Sequence, residues 1–67
     1  MEREHGIIER GKILEVKETG YIIASYDRDG IITPPLRALD DNKSYSEGDM
    51  VYYFIFRDGS GRVIERM

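Results

Sequence analysis

The feature that most constrains this chain is the run Met50-Val51-Tyr52-Tyr53-Phe54-Ile55-Phe56, seven apolar or aromatic residues in succession, with Asp58-Gly59-Ser60-Gly61 close behind it. The run is rich in β-branched and aromatic types and too short for an ordinary helix, so it predicts a strand. Glycines supply positive φ and Asp58 caps through its side chain, which predicts a hairpin returning into Val63-Ile64. Alternation along the strand puts Val51, Tyr53 and Ile55 on one face and Met50, Tyr52, Phe54 and Phe56 on the other. Both faces are apolar. One must be core, and the other is covered by the chain itself, buried against another molecule, or left open as a platform for a ligand.

Sixty-seven residues make one domain near the lower size at which a single core suffices. Without cysteine there is neither a disulfide framework nor a thiolate metal site, and one histidine does not make a zinc site. No metal and no cofactor is therefore expected. No stretch is long and apolar enough to span a membrane, and Met1-Glu2-Arg3-Glu4-His5 lacks the apolar core of a signal peptide, so the sequence reads as cytoplasmic. Ten Lys and Arg against thirteen Asp and Glu give a net charge of -3. That balance opposes strong non-specific nucleic-acid binding and leaves room only for a local basic patch.

In chain order, residues 1–6 read as a flexible N-terminal segment in which His5 is a solvated side chain, and 7–67 as a single β-barrel domain. Ile7 to Lys17 is a long first strand, with a bend or bulge expected at Gly11. Glu18-Thr19-Gly20 turns into Tyr21 to Tyr26, a second strand, and Asp27-Arg28-Asp29-Gly30 turns again. Ile31-Ile32-Thr33 is expected as a short third strand that closes a meander and stops at Pro34-Pro35. Leu36 to Leu39 is expected as one helical turn plugging the core with Leu36 and Leu39. Five strands, nearly no helix and a long connection before the closing hairpin point to an all-β fold, a small five-stranded OB-like Greek-key barrel, with an SH3-like barrel as the alternative.

Gly11-Lys12-Ile13, Gly20-Tyr21-Ile22-Ile23, Asp29-Gly30-Ile31-Ile32, Gly48-Asp49-Met50-Val51 and Asp58-Gly59-Ser60-Gly61-Arg62 follow one another in an order that resembles small S1-like and cold-shock OB domains. The layout is also similar to that of translation initiation factor one. The resemblance implies RNA or single-stranded DNA as partner, with aromatics stacking on bases and cations along the backbone path. Where cold-shock domains continue with further aromatics on strands two and three, this chain has Ile22-Ile23 and Ile31-Ile32-Thr33, so the implied binding is weak.

Of the basic residues Lys12, Arg37, Lys43, Arg57 and Arg62, the nucleic-acid contacts expected are Lys12, Arg37, Lys43 and Arg62, with Tyr21 as the stacking ring. The alternative for each is ordinary: a solvated cation, and a tyrosine packed on the barrel with its hydroxyl in water. A function of a different class rests on Tyr52, Phe54 and Phe56, an outward stripe suited to a protein partner or a homodimer unless Ile7-Ile8 and Leu14 fold over it. With no nucleophile and base pair, no metal cluster and no phosphate loop, an enzyme is not expected.

Overall fold

The structure, a computed structural model, describes residues 7–67; the flexible segment 1–6 and the solvated His5 expected from the sequence lie outside the described residues. Five strands form one sheet: β1 (Ile7–Lys17), β2 (Gly20–Ser25), β3 (Arg37–Ala38), β4 (Met50–Ile55) and β5 (Gly61–Arg66), in the order β2-β1-β4-β5-β3. The long β1 is shared. Residues 11–17 pair antiparallel with β2 and residues 7–12 with β4. The irregularity that lets it bend lies between Ile13 and Glu15, leaving Leu14 out of the register, and not at Gly11 as expected. Gly11 instead permits close contact between strands. A Cβ there would come within 2.5 Å of Ile23 Cγ2 and 2.6 Å of the Ala24 carbonyl, so its missing side chain lets β1 and β2 approach.

The sheet curls into a half-barrel until its outer strands meet. Tyr21 N–H donates to the Leu36 carbonyl at 2.7 Å and Leu36 N–H to the Tyr21 carbonyl at 3.0 Å. Gly20 makes this approach possible: its φ is +143°, and a Cβ would sit 2.7 Å from the Leu36 carbonyl carbon. Inside the curl, Ile13, Ile23, Leu36, Tyr45, Val51, Tyr53 and Val63 form the core.

Strand β1 has the expected bounds, and β2, β4 and β5 are present with shifted ends, whereas the third strand lies elsewhere. Ile31-Ile32-Thr33 makes a single bridge, Ala24 to Ile32, instead of a strand, and both isoleucines are exposed while Thr33 is buried. Thr33 accepts the Ile23 N–H on Oγ1 and donates its own N–H to the Ile23 carbonyl, but Pro34-Pro35 has no N–H with which to extend the ladder. The third strand is Arg37–Ala38, parallel to Arg62 and Val63 of β5, where the sequence predicts a helical turn. A turn would satisfy its own backbone and leave the Tyr21 and Val63 groups without partners inside the fold; the extended form satisfies them, with Leu39 N–H donating to the Val63 carbonyl. Leu36 is the expected plug, but Leu39 is 57% exposed. Its place is taken by Tyr45 from the loop before β4, whose ring meets Tyr21 edge-on at 5.5 Å and whose N–H donates to the Tyr21 hydroxyl.

Candidate functional site

β4 carries the site. Val51 and Tyr53 are fully buried, so Met50, Tyr52, Phe54 and Phe56 point away from the core, the first three half-buried and Phe56 exposed. Residues two apart on a strand are about 6.8 Å apart, so the outward side chains form a column along β4. Register supplies its borders. On β1, Lys12 opposes Met50, Arg10 opposes Tyr52 and Ile8 opposes Phe54. On β5, Arg62 opposes Phe54 and Glu65 opposes Tyr52. Beyond β5, Arg37 lies directly beside Arg62 in the parallel pair. One row of the outer face therefore reads Ile8, Phe54, Arg62, Arg37 across four strands.

Phe54 and Phe56 meet edge to face, with ring centroids 5.5 Å apart and planes at 71°. Together with Ser60, Gly61 and Arg62 they line a hollow of about 360 Å³, adjoined by a second of about 560 Å³ at Phe56, Arg57, Asp58 and Ser60. The hairpin turn that frames both hollows is fixed by Asp58, which accepts the Ser60 N–H at 2.9 Å and the Ser60 hydroxyl at 2.7 Å. The Ser60 backbone bond holds the Asp58 carboxyl below the usual carboxylate range.

The residues expected from the sequence to contact nucleic acid divide. Arg62 and Arg37 are adjacent, and Lys12 lies on the same outer face across β4. Lys43 is set apart in the loop before β4, 4.0 Å from Glu65. Tyr21 is half-buried and turned inward, its hydroxyl accepting the Tyr45 N–H, though with Arg37, Lys17 and Val16 it borders a shallow hollow of about 180 Å³ at the end of the barrel. Arg10, not singled out from the sequence, stands in the cation border beside Tyr52. The sequence does carry its signal: on β1 it shares the parity of Ile8 and Lys12. It is engaged by Asp27, which accepts its backbone N–H and its Nη2, both at 2.8 Å. These bonds lower the Asp27 carboxyl below its ordinary value and raise the Arg10 guanidinium.

The inner side of β1 carries a second polar feature. Glu9 is 4% exposed and accepts the Tyr53 hydroxyl at 2.6 Å, the Ser25 hydroxyl at 3.3 Å and an ion pair from Arg28 Nε at 2.7 Å. Burial first, and the Glu9 carboxylate second, push the Tyr53 hydroxyl up to about 12. Glu9 and Arg10, facing opposite sides, thus both hold the 26–30 turn against the barrel. Among the described residues, no group of three or more His, Cys, Asp or Glu side chains is placed to hold a metal.

Comparison with protein-family models, with curated proteins and with solved structures finds no match for this chain. The functional reading of the site rests on its own geometry.

Proposed function

We propose that this chain is a small OB-type barrel without catalytic activity that binds single-stranded RNA or DNA weakly across the outer face of β4. The observation that carries the reading is the aromatic column Tyr52, Phe54, Phe56 bordered by Lys12 and Arg10 on one side and by Arg62 with Arg37 on the other. A polyanion with flat apolar units matches that alternation, because rings stack on bases while cations hold phosphates. The parallel β3–β5 pair supports the OB assignment over a barrel of consecutive antiparallel hairpins, since it needs the crossover of a Greek key. Glu65 opposite Tyr52, and a net charge of -3, keep the affinity modest.

An amide NMR titration with mixed-sequence single-stranded RNA and DNA, at low and then moderate salt, tests this. Shifts at 52–56, 62 and 37 that fade with salt support it. No shifts at low salt overturn it. A concentration-dependent sedimentation coefficient abolished by Phe54→Asp would then assign the aromatic column to a homodimer.

A further inference from the structure

The hollow between Phe54 and Phe56 has a shape that the rest of the column lacks. Two rings at 71° and 5.5 Å form a corner, and a flat heterocycle stacked on one ring stands at that same steep angle to the other, the tilt of the edge-to-face geometry that aromatic pairs favour. Neighbouring stacked bases are about 3.4 Å apart, whereas outward residues of a strand advance by about 6.8 Å, so a base in the corner is separated from its neighbour's stack. Arg62 lines the same hollow, and Arg37 continues the positive charge in the direction away from β4. Arg62 Nη1 donates to the Gly61 carbonyl at 2.8 Å, which ties the guanidinium to the hairpin backbone beside the hollow and leaves it further N–H donors.

From these observations we infer that the Phe54–Phe56 corner is a subsite for one unstacked nucleobase of a single strand, tolerant of sequence and favouring purines, with the adjoining phosphate held by Arg62 and Arg37. The inference rests on the nucleic-acid reading above and adds what the site selects. Tolerance follows from the polar atoms of the turn. Ser60 donates both its N–H and its hydroxyl to Asp58, and the Gly61 carbonyl accepts from Arg62, so these groups of the turn are engaged within the protein rather than offered to base edges. Selection then falls to stacking area, which is larger for a purine. A duplex is rejected because its bases are paired and stacked on one another.

The deciding comparison uses the unaltered protein and changes the ligand, so that folding of a variant does not enter it. Trinucleotides of adenine, of uracil, and of adenine with an abasic central position are titrated alongside a twelve-residue single strand and the matching duplex, with amide shifts read at Phe54, Phe56, Ser60 and Arg62. The inference expects adenine to bind several-fold more tightly than uracil, the abasic ligand to lose roughly 5- to 150-fold, and the duplex to fail. Arg37→Gln should weaken all ligands alike and keep the purine preference. An abasic trinucleotide that binds as well as the intact one, while the longer strand still shifts 52–56, overturns the one-base corner and leaves the nucleic-acid reading standing. If no strand of any length shifts the face, both fall.

Discussion

The Tyr53 hydroxyl donates a 2.6 Å hydrogen bond to Glu9 Oε1 across the β1–β4 pair, placing a carboxylate inside the barrel against the largest core side chain. A buried carboxylate needs its donors, and Tyr53, Ser25 and Arg28 together supply them. Tyr53→Phe keeps the ring and removes one donor. It should destabilise the fold by about 1–3 kcal/mol, read as a lower urea midpoint with unchanged slope.

The same contact sets an alkaline limit. The Tyr53 pKa is raised in the folded protein to about 12 from an ordinary value of 10.0, so the neutral hydroxyl is the folded form. Its contribution is fully present below pH 10 and is lost as pH rises toward 12. Urea midpoints should fall across that window. Part of the fall should vanish in Tyr53→Phe, with a remainder due to Tyr45, whose hydroxyl is also raised by burial.

Arg10 points the other way, at the proposed ligand face, and Asp27 occupies it. With Lys12, Arg62 and Arg37 as phosphate contacts, the affinity should depend on salt with a logarithmic slope of about −2, a loss of roughly 20-fold from about 50 to about 200 mM. Asp27→Asn releases Arg10 as a further cation. Single-strand affinity should rise and the slope should steepen by about 0.7. An unchanged slope would mean that Arg10 does not reach the strand.

Two glycines separate strain from crowding. Gly20 and Gly30 both have positive φ, +143° and +83°, but a Cβ at Gly20 collides with the Leu36 backbone while one at Gly30 meets nothing within 4 Å. Gly30→Ala should lose only the backbone preference, about 1 kcal/mol. Gly20→Ala should lose markedly more, because the strand contact that curls the sheet must open; thermal or urea unfolding of the pair checks the order.

The sequence made legible those parts of the fold that local pattern determines. Residues 50–56 and the Asp58 turn could be read from composition and glycine placement, and parity separated Val51 and Tyr53 from Tyr52, Phe54 and Phe56, but with both faces apolar only burial in the fold assigns Val51 and Tyr53 to the core. β3 could not be read this way. Arg37-Ala38 has no strand signature, and it is extended because Tyr21, Arg62 and Val63, distant in sequence, offer it backbone partners. Ile31-Ile32 carries the stronger local pattern, and the prolines after it stop the ladder. The site shows the same division. Tyr52, Phe54, Phe56, Lys12, Arg37 and Arg62 were each visible, but as two separate groups with different functions. Only the pairing of Phe54 with Arg62, and of Arg62 with Arg37, places aromatics and cations on one surface.

That parallel pairing of β3 with β5 also joins segments far apart in the chain. The β1–β2 hairpin is made of contacts local in sequence, but its Ile13 and Ile23 are covered by Val51, Tyr53 and Val63 from the far end of the chain. Arg37 and Ala38 have their partners 25 residues downstream, at Arg62 and Val63. The apolar inner side of the first hairpin is covered only by segments far along the chain, and contacts of such sequence separation are the slow ones to form.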